Sequence, residues 1–175
     1  MPTENKVFLE YGVEVQGPDG AKVLPTFEYR TAADADVFAA SDGIITKIDY
    51  KPYNQDYSIL IQSEMYGEWT LGHDHVSNIK VSEGDIVKAG DVLGKAGTLG
   101  GALGRTEIMI WGGPASLGRP LTYCPFKFFA PELLSEYQQK VTQHMKDWEE
   151  FKGNPNLYNE EKHLFPGCVY ETLLD

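Results

Sequence analysis

The sequence predicts a mainly β fold, a sandwich or barrel, followed by one α-helix and an irregular tail. Three observations predict it. Short β-branched and aromatic runs recur between glycine turns from residue 7 to about residue 125. From 131 to 152 the apolar residues switch to steps of three and four. The chain of 175 residues carries 18 glycines and 10 prolines, enough for the tight turns that closely spaced strands need. This length suits one domain with a small appendage, and it buries a core without metal or disulfide staples.

The elements follow in order. Val37-Phe38-Ala39-Ala40 leads into the turn Ser41-Asp42-Gly43, and the β-branched run Ile44–Ile48 follows. Tyr57–Ile61 is a second strongly β segment, separated by a turn at Gly67 from Glu68-Trp69-Thr70-Leu71. Between 79 and 97 two Gly-Asp steps, at 84–85 and 90–91, each precede an apolar residue. Their glycines supply positive φ, and the residues after them enter short strands. The helix is predicted over Pro131–Lys152, with its stripe at Leu133, Leu134, Tyr137, Val141, Met145, Trp148 and Phe151. Pro131 fits the first helical turn, Glu132 complements the positive helix end, and Gly153-Asn154-Pro155 stops it. The expected organisation is a β domain over 7–129, with the helix and tail of 130–175 packed on it. In the tail, Leu164-Phe165-Pro166 and Val169-Tyr170 are available to pin it down.

The charge excludes several function classes. With 15 Lys+Arg against 26 Asp+Glu the net charge is −11, and no basic cluster offsets it locally. Such a chain repels nucleic-acid backbones and anionic membrane surfaces. Its longest apolar runs fall far short of a membrane span. Met1–Lys6 lacks the apolar core of a signal peptide, so the chain as written is expected in the cytoplasm. Cys124 and Cys168 are too few for a disulfide framework or a four-cysteine zinc site, and are expected as two buried or free thiols. No nucleophile elbow, phosphate loop or dinucleotide fingerprint is present.

The stretch 79–97 resembles three groups of barrel-sandwich proteins: biotinyl and lipoyl carriers, sugar-phosphotransferase IIA domains, and lysostaphin/LytM-type zinc endopeptidases. The flanks separate them. The carriers need a modifiable lysine at a hairpin tip, whereas Lys88 and Lys95 lie within the Gly-Asp repeat. The IIA "His-Phe-Gly" pattern is missing, although His73 and His75 are there. The endopeptidase pattern covers about residues 20–129. Asp36–Ile45 resembles its "Pro-Val-Tyr-Ala-Ala-Ala-Asp-Gly-Val-Val". Trp69–Ile79 resembles the segment holding "Tyr-Ala-His-Leu-Ser", with His75 on the family's His and His73 on its Tyr. Gly97-Thr98-Leu99-Gly100 resembles its "Gly-Asn-Thr-Gly" turn. Gly104–Trp111 falls where the family has "Pro-His-Leu-His-Phe-Glu-Ile-Arg", and Cys124-Pro125 falls on its closing "Asp/Asn-Pro". The resemblance implies a barrel-sandwich hybrid, the duplicated hybrid motif, in a homologue of cell-wall peptidases that usually act on peptidoglycan outside the cytoplasm.

The same resemblance implies a degenerate site. The family binds zinc through a His-x-x-x-Asp pair and the second His of a His-x-His motif; the motif's first His and the "Tyr-Ala-His" His assist the reaction. Three protein ligands leave zinc an open position for an activated water. Here the first His falls on Leu24 and its Asp on Glu28, and the His-x-His pair falls on Arg105 and Glu107. The chain has four histidines, none before residue 73, and only His75 keeps a family position. No cofactor is expected, with zinc reserved for a site rebuilt from His73, His75 and Glu107. The fold implied by the resemblance brings Glu28, His73, His75, Arg105 and Glu107 to one groove. Three readings of that set are open: an internal salt-bridge network, a ligand site built on charge-assisted hydrogen bonds, or the rebuilt metal site. Strand alternation puts His73 and His75 on one face and turns Asp74 away. Gly97–Gly104 is expected as a mobile loop at the groove rim. His144 and His163 are expected as surface or packing residues. The expected function is that of a catalytically degenerate homologue that acts on a peptide, glycan or protein ligand as a binding or regulatory module, with enzyme activity left open. The alternative is an active metallohydrolase with a remodelled site.

Overall fold

A computed structural model describes residues 5–17, 20–64, 67–100, 102–112 and 121–174. The first strands are β1 (Phe8–Leu9), the hairpin β2 (Glu14–Gly17) and β3 (Gly20–Val23), then β4 (Phe27–Ala32) and β5 (Asp36–Phe38). They are followed by β6 (Gly43–Lys51), β7 (Asp56–Gln62), β8 (Thr70–Ser77), β9 (Ile86–Val87), β10 (Val92–Gly100), β11 (Leu103–Gly112) and β12 (Leu121–Tyr123). A 3-10 turn (Pro125–Phe128), helix α1 (Pro131–Lys152) and a last strand β13 (Thr172–Leu174) complete the order. Apart from the β2–β3 hairpin these strands form one antiparallel sheet, an open path β1-β4-β11-β10-β8-β7-β6-β9 without barrel closure among the described residues. The fold is therefore mainly β with one α-helix, as the sequence predicts.

Strand β11 is the axis of the arrangement. It pairs with β4 from Leu103 to Ile108, with β10 around Arg105, and with β8 from Glu107 to Trp111. Three strands that are distant in sequence thereby lie side by side. Their buried apolar neighbours form two cores. One collects Val37, Ile45, Ile59, Ile61, Val76, Val87 and Leu93 from β5 to β10. The other joins Phe8, Tyr11, Phe27 and Phe126 to Met145 of α1 and to Leu157 and Tyr158 of the tail.

The Gly-Asp repeat makes two near-identical turns. Gly84 and Gly90 have φ of 91° and 94°, where a side chain would be strained. Asp85 Oδ2 accepts the Ser82 amide and Asp91 Oδ2 the Lys88 amide, each at 2.8 Å, so each aspartate closes its own turn. The predicted helix spans Pro131–Lys152, and Gly153 at φ 61° caps it in the left-handed region. Met145 is its one fully buried residue, with Leu134, Val141 and Trp148 packed against the same core. The end of the stripe leaves the core: Phe151 is 74% exposed.

Three expectations are corrected here. The cysteines are not free thiols: Cys124 and Cys168 form a buried disulfide across a separation of 44 residues. The helix lies between them in sequence, so nothing local shows that the tail returns. The tail is also less irregular than expected. β13 pairs with β12, Val169 N–H donates to Tyr11 O at 2.8 Å, and Cys124 N–H donates to Glu171 O at 3.0 Å. Finally, the described part of Gly97–Gly104 is no loop but the end of β10 and the start of β11, with Gly97 opposite Arg105 and Thr98 opposite Gly104; Gly101 lies outside the described residues.

Both remaining histidines pack. The His144 ring lies 6.2 Å from that of Phe8. His163 Nε2 lies 3.5 Å from Glu10 Oε1, in a buried cluster where Lys6 Nζ bonds the same carboxylate at 2.7 Å. No described helix is long and apolar enough to cross a membrane.

Candidate functional site

The site is built on one face of β4, β11 and β8. Glu107 stands directly opposite Glu28 on one side and Asp74 on the other, so three carboxylates line up across three strands. Such a row is self-repelling unless cations divide it, and the sequence places them alongside. Arg30 Nε bonds Glu28 Oε1 at 3.0 Å, and Arg105 Nη1 lies 3.4 Å from Glu28 Oε2. Burial and the charge of Glu107 raise the Glu28 carboxyl above its usual range, more than the two arginines lower it.

A β-bulge brings His75 into this row. Tyr57 pairs with Val76 and Ile59 with His73, so Asp74 and His75 together oppose the single residue Ser58. His75 sits at φ 58°, which is uncommon outside glycine and lets two successive side chains reach the same face. Ser58 Oγ–H and the His75 amide both donate to Asp74 Oδ1 and hold the bulge in place.

Both ring nitrogens of His75 face carboxylates. Nδ1 lies 2.7 Å from Asp56 Oδ2, and Nε2 lies 3.2 Å from Glu107 Oε1. A neutral imidazole has one N–H and would aim a lone pair at one of these oxygens; an imidazolium donates to both. Burial lowers the His75 pKa, but the bond and charge of Glu107, helped by Asp56, raise it above the ordinary value. Burial likewise pushes the Glu107 carboxyl up, but bonds from His75 and Thr26 and the charges of His75 and Arg105 bring it down to about 2. Thr26 Oγ1–H donates to Glu107 Oε2 at 2.7 Å. Gly97 makes room for the pair: a Cβ there would lie 2.7 Å from Asp56 Oδ2 and 3.1 Å from His75 O.

The structure thus brings Glu28, His75, Arg105 and Glu107 together, but it separates His73. The bulge breaks the alternation on which a shared face depended. His73 aligns with Ile59 and Ile108 on the other side of the sheet, and its Nε2 accepts the Ala40 amide at 3.2 Å. Complete burial lowers its pKa to about 4 and keeps it neutral. Asp74, expected to point away, joins the site instead. Asp56, Thr26 and Arg30 were also not singled out from the sequence. Asp56 offers no signal there, because its contact depends on the bulge; Thr26 and Arg30 flank Glu28 at two-residue spacing, which could have revealed them.

Asp74, His75 and Glu107 each offer a ligand atom within 4.8 Å of the others. This donor set does not match the family's zinc site. By the resemblance, the family's first zinc His falls on Leu24, a buried leucine, and its last on Glu107, while Arg105 takes the place of the His that assists the reaction. One imidazole with two carboxylates suits a harder cation than zinc. Next to the cluster, and sharing Asp74 with it, lies a groove of about 250 Å³ lined also by His73, by Lys47, Asp49 and Lys51 of β6, and by Leu60, Met109 and Trp111. Gly72 is needed under it: a Cβ would meet the Trp111 ring at 2.6 Å.

The open antiparallel sheet has the fold of lysostaphin/LytM-like domains. Residues 25–109, just under half of the chain, match the model of peptidase family M23. No curated protein matches the chain. Among solved structures it is similar to the catalytic domain of the antimicrobial peptidase lysostaphin from Staphylococcus simulans, at 23% identity and TM-score 0.50 over 60% of this chain and 78% of that one. It is similar to LytU at 20% identity and TM-score 0.50, over 62% of this chain and 74% of that one. Csd3 of Helicobacter pylori matches over 97% of this chain and 45% of its own, at 16% identity and TM-score 0.52. Against the longer lysostaphin structure the chain spans 42% of that protein's length.

Proposed function

We propose that this M23 domain is catalytically degenerate and acts as a binding or regulatory module, holding a peptide, glycan or protein ligand in the groove at Asp74, next to the His75 cluster. The observation that carries this reading is the commitment of His75. It is the described histidine that stands in the carboxylate row, and both its ring nitrogens face carboxylates at 2.7 and 3.2 Å. A histidine held in this way as a cation is neither a general base nor an open metal ligand. Arg105, at a family His position, adds a second fixed cation. Lys47, Asp49 and Lys51, together with Trp111, offer a ligand polar and apolar contacts.

The test is incubation of the purified chain with purified peptidoglycan. The reading expects retention on the sacculi without new free amines. Amine release abolished by a chelator would overturn it.

A second reading rests on the 4.8 Å grouping of Asp74, His75 and Glu107. In it a cation replaces the His75 Nε2 proton and the site is a remodelled metallohydrolase, with Asp74 in the role expected of His73. Stoichiometric metal lost on His75→Ala would favour this reading.

The Cys124–Cys168 disulfide supports a setting outside the reducing cytoplasm, against the expectation from Met1–Lys6. Its loop length places its stabilisation at about 4 kcal/mol. Thermal melting with and without reductant checks this; an unchanged Tm would contradict it.

A further inference from the structure

On the opposite side of the same strands lies a pocket of about 320 Å³ that the groove chemistry does not use. Its size falls at the lower end of small-ligand sites, about 300–1,000 Å³. Phe27 forms part of the floor at 1% exposure, while Trp69 and Phe128 stand at the mouth, 43% and 45% exposed. Tyr29 and Phe129 complete a lining of five aromatic residues. The Trp69 and Phe128 rings meet at 58° with centroids 5.2 Å apart, a tilted corner rather than a closed stack.

The polar groups are few. Thr70 Oγ1 is already bonded by Gln62 Nε2 at 2.9 Å, which leaves the Tyr29, Ser41 and Ser63 hydroxyls and one carboxylate. That carboxylate, Asp42, is the lone charged residue of the lining; Lys, Arg and His are absent from it. Asp42 Oδ1 accepts the Ala89 amide at 2.8 Å, so the negative charge is fixed in place at the turn.

Aromatic faces carry negative charge density, a carboxylate stands beside them, and the whole chain is at −11. The three fields have the same sign and reject anions. The scarcity of hydrogen-bonding groups disfavours a hydroxyl-rich sugar. We propose that this pocket binds a small organic cation whose charge is carried on alkyl groups, an alkylammonium. The rings take the methylated head by cation–π contact, and Asp42 supplies the counter-charge. This site stands apart from the reading of the groove and does not depend on it.

The test titrates the full chain with choline and with its neutral isostere 3,3-dimethylbutan-1-ol, followed by indole fluorescence and by NMR shifts. Choline should bind saturably, about tenfold more tightly than the alcohol. Trp69→Leu should abolish choline binding; Phe128→Leu, at an equally exposed ring, replaces it if that chain fails to fold. Asp42→Asn keeps an oxygen for the Ala89 amide and should weaken choline severalfold while leaving the alcohol unchanged. Equal binding of choline and the alcohol would overturn the proposal, as would absence of choline binding or choline binding that survives Trp69→Leu.

Discussion

His73 and His75 lie two residues apart on one strand and do opposite things. His73 faces the apolar side of β8, accepts one amide hydrogen from Ala40 and stays neutral, its pKa pushed down to about 4. His75 faces the charged side, between Asp56 and Glu107, and its pKa is raised. The residue type is the same; what differs is the bulge between them. One extra residue in β8 turns the second imidazole onto the face of the carboxylate row, and the surroundings then decide its charge. The same strand thus holds one histidine as a buried core residue and the other between two carboxylates that favour its charged form.

The comparison breaks most readily at Glu107. Glu107→Ala leaves the His75 cation short of a partner and should cost about 3–5 kcal/mol in denaturant unfolding. A loss below 1 kcal/mol would mean that the two histidines are not held differently.

The pH dependence sharpens the contrast, because the two signs are opposite. His73 has a depressed pKa, so the unfolded chain binds its proton first. Stability is full above 6.5 and falls by about 3 kcal/mol as the pH drops to about 4. His75 has a raised pKa, so its contribution is full below 6.5 and is lost as the pH rises through the folded value. Glu107 adds a separate loss as the pH falls from 4.5 to about 2. Unfolding free energies measured across pH should show His73→Leu flattening the limb between 6.5 and 4, and His75→Gln flattening the alkaline limb.

Smaller effects follow on the charged face. Thr26→Val removes a hydrogen bond to an ionised carboxylate, and chemical denaturation should register about 1.5–3 kcal/mol. Gly97→Ala crowds Asp56 and His75 and should cost about 1–3 kcal/mol. In that variant the His75 ring resonances should shift in NMR while those of His73 stay in place; the reverse pattern would contradict the assignment of faces.

Much of this architecture was legible in the sequence. Apolar steps marked the helix to its observed ends, and the two Gly-Asp turns were readable because glycine and aspartate each have one structural task there. Glu28, Arg105 and Glu107 were picked out by counting along the family resemblance, and the strands set them within reach of one another. The pairing of His73 with His75 was not, since alternation assumes an unbroken ladder and no residue type announces a positive φ at histidine. Asp56 and the Cys124–Cys168 disulfide were hidden for a related reason: both depend on where a distant segment returns.

The most direct test of the central claim is elemental analysis of the purified chain, dialysed against zinc and then against buffer. The two-carboxylate clamp on His75 predicts no stoichiometric metal. One zinc per chain, lost in His75→Ala and in Asp74→Ala, would contradict it.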